Sequence, residues 1–217
     1  MSGTPPPDEP PQASPRVEIL ARQRLHDGFF KLDRLRLRHE RFDGAWTPPL
    51  VRELFIQRAA VAVLPYDPVR DAVVLVEQFR TGCIDHPGDP WLLEAPAGLV
   101  EAGETPEAVA RREVREETGL AVRRIAPLGQ YHASPGGTSE RVSAFIAEVA
   151  APAAGGTFGV EHEHEDIRTH IVPAETAFAW MEDGRIIAAN ALIPLLWLRI
   201  HRERLVAEWR SAAPVSA

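Results

Sequence analysis

The order of apolar and polar positions divides the chain into short strand-like runs and fewer helical stretches. From Val17 onward the runs VEILARQRL, FFKLDRLRLRHERF, LVRELFIQ, AAVAVLPYD and DAVVLVEQF follow one another. They are rich in leucine and β-branched residues and partly alternate, so they predict strands. Asp43-Gly44 and the stretch from Asp67-Pro68 to Asp71 supply turn chemistry between them, which predicts hairpins and antiparallel pairing. At residues 105–118 the pattern changes: Thr105 suits an N-cap and Pro106 the first helical position, and alanines, arginines and glutamates follow. Gly119 stands where a helix C-cap belongs. Further strands are expected at AVRRIAPLGQY, RVSAFIAEVA and IRTHIV, and helices at ETAFAWMEDG and NALIPLLWLRIHRERLVAEW. This order predicts an α+β fold. No internal repeat is visible, which excludes a solenoid or propeller.

Composition sets the boundaries. A chain of 217 residues, 45% apolar and 25% charged, suits one globular unit with extended ends. Residues 1–16, rich in proline and poor in apolar side chains, are expected to form a disordered tail. The net charge of −7 and a pI near 5.6 argue against nucleic acid or an anionic membrane as partner. A phosphate-bearing ligand would then have to be drawn in by metal ions or a few local arginines. Cys83 is the single cysteine, so no intrachain disulfide can form. The N-terminus has no apolar or basic leader pattern, and no apolar run approaches the ~18 residues of a membrane helix. The expected setting is cytoplasmic. Trp197, Trp209, Leu195, Leu196 and Leu205 give the last helix more apolar surface than a small core obviously needs, a mild indication of self-association.

The candidate chemistry lies in GLVEAGETPEAVARREVREETGL, residues 98–120. On a helix starting near Thr105, Glu113 is four residues from Glu117 and three from Glu116, so the three carboxylates share one face. Their repulsion is relieved by a hard divalent cation such as Mg²⁺, with water and substrate phosphate completing the shell. A solvated face balanced by Arg111, Arg112 and Arg115 is the bland alternative. The full spacing decides between them. A glycine, five residues, a glutamate, seven residues and then Arg-Glu-Val-Arg-Glu-Glu-Thr-Gly-Leu resembles the Nudix box at every specified position: Gly98, Glu104, Arg112, Glu113, Val114, Glu116, Glu117, Gly119 and Leu120.

The resemblance implies a Nudix fold, an α/β/α sandwich with a mixed sheet, over residues 58–217. It also implies hydrolysis of a nucleoside diphosphate linked to another group. Glu113, Glu116 and Glu117, with the Ala97 carbonyl, would hold Mg²⁺, or alternatively Mn²⁺. Gly98, Glu104 and Arg112 would be structural in the motif, Arg112 and Glu104 bracing the loop against the helix.

Outside the box the chain resembles the bacterial ADP-ribose pyrophosphatase branch of the family. In HASPGGTSE, Pro135 stands sixteen positions past Gly119, a spacing associated with ADP-ribose, although a Ser-Pro-Gly-Gly turn explains it alone. Gly136 and Glu140 of this stretch are candidate substrate contacts. The acidic loop VEHEHEDIR offers Glu161, Glu163, Glu165 and Asp166 beside His162 and His164. A zinc site there is disfavoured by loose spacing and the lack of a nearby cysteine. The resemblance implies that a glutamate of this loop is the general base, Glu163 first and Glu165 second. It further implies that Phe29 stacks on adenine, that Arg52 and Glu53 bind substrate, and that Arg80 forks onto phosphate. Core packing is the alternative for Phe29. Residues 17–57 would form an antiparallel β region exchanged in a homodimer. The leading expectation is Mg²⁺-dependent conversion of ADP-ribose to AMP and ribose 5-phosphate. Hydrolysis of another nucleotide sugar, such as ADP-glucose or GDP-mannose, and ADP-ribose sensing without cleavage remain as alternatives.

Overall fold

The computed structural model describes residues 14–85, 87–159 and 165–211. The described residues group into two compact units, residues 14–57 with 134–139, and the rest. Most of the expected tail, residues 1–13, lies outside the described residues. Its last part, Ser14 to Arg16, forms a turn in which the Val17 N–H donates to the Ser14 carbonyl at 2.9 Å.

The first unit is a three-stranded antiparallel sheet of β1 (Val17–Asp27), β2 (Lys31–His39) and β3 (Leu50–Ile56), in that order. The Asp43-Gly44 turn forms as expected: Gly44 takes a φ of 83° and the Asp43 carboxylate accepts the Ala45 N–H. Such a φ suits glycine, which has no Cβ to clash. Buried Asp33 of β2 accepts from Arg22 and Arg24. The Arg24 hydrogen bond and then the Arg22 one hold its carboxyl below the usual carboxylate range, against burial. Residues 134–139 run beside the end of β3. There the Phe55 N–H donates to the Gly137 carbonyl at 2.8 Å, and Ser139 Oγ accepts from the Gln57 N–H.

The second unit carries the strands β4 (Ala60–Asp67), β5 (Ala72–Phe79), β6 (Trp91–Glu94), β7 (Ala97–Leu99), β8 (Arg124–His132), β9 (Arg141–Glu148), β10 (Thr157–Phe158) and β11 (Ile167–Pro173). Its helices are α1 (Pro106–Thr118), α2 (Ala174–Glu182) and α3 (Ala189–Ser211). The sheet order is β10-β11-β5-β4-β9-β8, with β6 on β5 and β7 on β4. The β4–β9 pair is parallel, while β4 meets β5 and β7 antiparallel, so the sheet is mixed. Side chains alternate between its faces. Val61, Val63, Val74, Phe145 and Ala147 pack against Val109, Ala110 and Val114 of α1. Leu64, Tyr66, Val73, Leu75 and Ile146 face the other way, onto Phe178 of α2 and Leu195 and Leu198 of α3. Both faces are buried, which gives the α/β/α sandwich.

Three short strands escape the sequence pattern: β6, β7 and β10, of four, three and two residues. A run that short cannot display a period, and Pro96 separates the first two. The last helix also differs from expectation in what its apolar side chains do. Leu195, Leu205 and Trp209 are buried in this chain's own core and Trp197 packs against it, leaving Leu196 exposed. Ile200, one turn beyond Leu196, is exposed as well. No helix among the described residues is long and apolar enough to cross a membrane.

Leu198 is fully buried between α3 and the sheet. We predict that Leu198→Ala lowers the unfolding free energy by about 2–5 kcal/mol in urea titration. A loss under ~1 kcal/mol would mean that this layer is not the tightly packed core described.

Candidate active site

Helix α1 is built to present carboxylates at a fixed place. The Thr105 hydroxyl accepts the Ala108 N–H at 3.2 Å as N-cap, and Pro106 opens the helix. Gly119 closes it in the left-handed region, φ 69°, donating to the Arg115 carbonyl. A side chain there would also collide with the Phe158 ring, whose nearest carbon would lie 2.7 Å from the added Cβ. One face, through Val109, Ala110 and Val114, is anchored in the core. That anchoring carries Glu113 and Glu117 inward, only 7% and 2% exposed.

Arg112 organises the acidic face. Its guanidinium lies 3.2 Å from Glu104, 2.9 Å from Glu113 and 3.0 Å from Glu116, and also donates to the Leu99 carbonyl. Glu104 in turn accepts the Glu101 N–H at 3.1 Å. That N–H and then Arg112 hold the Glu104 carboxyl below its usual range. Gly98 on β7 makes room for the cluster: a Cβ there would stand 1.6 Å from Glu113 Oε1. Arg112 and Glu104 thus pair beside the carboxylates, and Gly98 leaves the space that Glu113 fills.

Glu117 is the electrostatically stressed member. Burial pushes its carboxyl up to about 9, the Glu113 and Glu165 charges add to the rise, and Arg80 and the Ala97 N–H oppose it. Its Oε2 is buried with no hydrogen-bond partner among the described residues. An unmatched buried carboxylate oxygen beside a second buried carboxylate is what a hard divalent cation relieves. Among the described residues no three His, Cys, Asp or Glu side chains converge as a ready metal cage. The donor set fits an ion that keeps waters and takes further oxygens from a diphosphate, as Mg²⁺ does.

Arg80 follows β5 and points a fork at Glu94 of β6, with Nε and a terminal nitrogen 2.7 and 2.5 Å from the same oxygen. Glu94 is itself buried. Burial, Glu140 and Glu94 in that order push the Tyr131 phenol up to about 12. Arg80, Glu94, Glu117, Glu165, Tyr131 and Glu140 thus belong to one electrostatic neighbourhood. Sequence reasoning missed Glu94 and Tyr131. A lone carboxylate inside the apolar run WLLEAPAG was the available signal for Glu94.

The remaining candidates are placed separately. Glu163 lies outside the described residues, as do Glu161, His162 and His164. Glu165 is described, and its carbonyl would lie 2.7 Å from a Cβ at Gly159, so the two ends of that loop sit side by side. In the first unit Phe29 is 84% exposed and edge-on to Phe30 at 4.8 Å, outside this chain's own core. Arg52 donates to the Val51 carbonyl, and Glu53 pairs with Arg34 at 3.3 Å. Gly136 is exposed in the 134–139 loop.

A NUDIX domain model matches residues 56–191, and the chain belongs to the NUDIX family, whose members use divalent metal ions. Among curated proteins it is similar to the ADP-ribose pyrophosphatase of Escherichia coli (strain K12), 49% identical over 193 residues and covering 89% of this chain and 92% of that one. The ADP-ribose pyrophosphatase of Haemophilus influenzae is 44% identical, with 89% and 91% covered. The GDP-mannose pyrophosphatase of Enterobacter sp. (strain 638) is 34% identical, with 85% and 96% covered. A crystal structure of an ADP compounds hydrolase aligns with a TM-score of 0.66 at 21% identity, covering 85% of this chain and 95% of that one. At that identity the likeness is one of fold.

A raised carboxyl has a defined stability signature. With Glu117 at about 9 when folded and near its ordinary 4.5 when unfolded, metal-free protein loses stability as pH rises across that window. We predict that Glu117→Gln, which removes the buried charge, raises the melting temperature in EDTA at pH 8 and abolishes the further rise caused by Mg²⁺. A lower melting temperature in EDTA would contradict the strain assigned to Glu117.

Proposed function

We propose that this chain hydrolyses ADP-ribose to AMP and ribose 5-phosphate with Mg²⁺, Mn²⁺ serving as an alternative. The observation that carries the reading is the buried Glu113–Glu117 pair, with Arg112 on Glu113 and one Glu117 oxygen unmatched among the described residues. The 49% identity to enzymes named ADP-ribose pyrophosphatase supports the substrate. Glu113, Glu116 and Glu117, with the Ala97 carbonyl, would hold the metal. When bound, it supplies charge neutralisation for the diphosphate and a lower pKa for a water.

The chain's own residues do the rest. Arg80, steadied by Glu94, offers its guanidinium to the diphosphate, a geometry suited to phosphate oxygens. Glu163 accepts the proton of the attacking water, and Glu165 is the second candidate for that task. One P–O bond of the diphosphate breaks as the water oxygen bonds to phosphorus, leaving two phosphate monoesters. Phe29, exposed on its sheet, offers a face to adenine. Arg52, Glu53, Gly136 and Glu140 contribute further substrate contacts.

The working unit in this proposal is a cytoplasmic homodimer in which residues 17–57 are exchanged. Phe29, Phe30, Phe42 and Val51, all exposed on the first unit, support a partner for that sheet. A second reading, hydrolysis of another nucleoside diphosphate sugar, is favoured by the 34% identity to a GDP-mannose pyrophosphatase. The lower identity makes it the lesser reading.

Turnover across ADP-ribose, ADP-glucose and GDP-mannose tests the substrate. ADP-ribose should give the highest kcat/KM, and a higher value for GDP-mannose would transfer the assignment. Glu163→Gln is expected to lower kcat about 10²-fold or more with its melting temperature unchanged. Full turnover in that variant would remove Glu163 as base.

A further inference from the structure

One buried polar group near the site has no task in the mechanism above. Gln78 on β5 is only 8% exposed, and its Nε2 is buried without a hydrogen-bond partner among the described residues. A buried donor left unmatched is costly, so native structures rarely keep one without a use for it.

Strand alternation places this side chain. Val74 packs on the α1 side of the sheet, and Gln78, four residues further along β5, faces the same way. Gln78 stands opposite Leu92 and Val76 opposite Glu94, so Glu94 shares that face. Arg80 continues the edge, its N–H held by the Pro90 carbonyl at 2.8 Å, and its guanidinium grips Glu94. The same guanidinium bears on Glu117 of α1. Along one face, then, β5 passes from apolar Val74 and Val76 to Gln78, and Arg80, just beyond its end, bears on the carboxylates Glu94 and Glu117. Both Arg80 contacts fall on Glu94 Oε2, and neither they nor the Ala97 N–H to Glu117 involves Gln78.

We propose that Gln78 is a further substrate-positioning residue whose Nε2 donates to a non-bridging oxygen of the substrate diphosphate beside Arg80. The inference deepens the pyrophosphohydrolase reading and rests on it. A neutral amide is suited to this place. It adds a directed donor without a second positive charge next to Arg80, and it avoids the added negative charge that a carboxylate would bring beside Glu113 and Glu117. A hydrogen bond to a charged oxygen in a dry setting corresponds to about tenfold or more in affinity.

The test uses the full-length protein with Mg²⁺ and methylenediphosphonate, a probe with neither nucleoside nor sugar. Calorimetry and thermal melting are run on wild type, Gln78→Leu and Gln78→Glu. Gln78→Leu should bind the probe about tenfold or more weakly while its melting temperature holds or rises, because an unmatched buried donor is gone. With the best nucleotide sugar its KM should rise more than its kcat falls. Gln78→Glu should bind more weakly still. Equal binding by wild type and Gln78→Leu overturns the proposal, and so does weakening that appears only together with a fall in melting temperature. If the probe result holds but ADP-ribose is not cleaved, the substrate reading fails and the role of Gln78 stands.

Discussion

The structure turns on two carboxylates that the fold carries out of water. Glu113 and Glu117 lie one helical turn apart on α1 and are almost wholly buried, where their mutual repulsion is stronger than at a surface. Two devices keep them there. Arg112 reaches Glu113, Glu116 and Glu104 together, neutralising part of the charge and fixing the rotamers. The packing of Val109, Ala110 and Val114, which share the buried side of the helix with Glu113 and Glu117, keeps the two carboxylates turned inward. What remains unbalanced is concentrated at Glu117, whose carboxyl is pushed up to about 9 first by burial. In the proposed function, that imbalance is what a bound divalent cation would relieve.

The layers around α1 follow from this constraint. A side chain at Gly98 would have to displace the Glu113 carboxylate, whose Oε1 stands 1.6 Å from an added Cβ. Gly119 is held both by its left-handed φ of 69° and by the Phe158 ring. The sheet supplies the other wall. On the α1 face β5 is apolar at Val74, where it meets the helix core, and polar at Gln78, and Arg80 just past its end reaches Glu94. One strand therefore belongs to the hydrophobic core at one end and borders the candidate site at the other.

The first unit obeys a different logic. Its sheet is held largely by polar pairing, with Asp33 buried between Arg22 and Arg24 and further cross-strand pairs such as Arg38 with Glu18. Exposed Phe29, Phe30 and Phe42 remain at its surface. A sheet rich in such pairs with aromatic rings turned outward suits a binding surface better than an independent core.

Local chain chemistry made part of this architecture legible before any fold was known. Thr105, Pro106 and Gly119 cap α1 using only their neighbours, and the spacing of Glu113, Glu116 and Glu117 places them on one face wherever that helix sits. The apolar runs of β4 and β5 likewise mark them as strands. The tertiary structure decided everything that depends on partners distant in the chain. Glu94 meets Arg80 across fourteen residues, through the strand β6, which is too short to announce itself. Whether the apolar side chains of α3 faced a partner or their own sheet was equally invisible, and the sheet claims Leu195, Leu205 and Trp209. The burial that strains Glu117 and isolates Gln78 belongs to the same class, because desolvation is set by the atoms packed around a group and periodicity along the chain does not encode them.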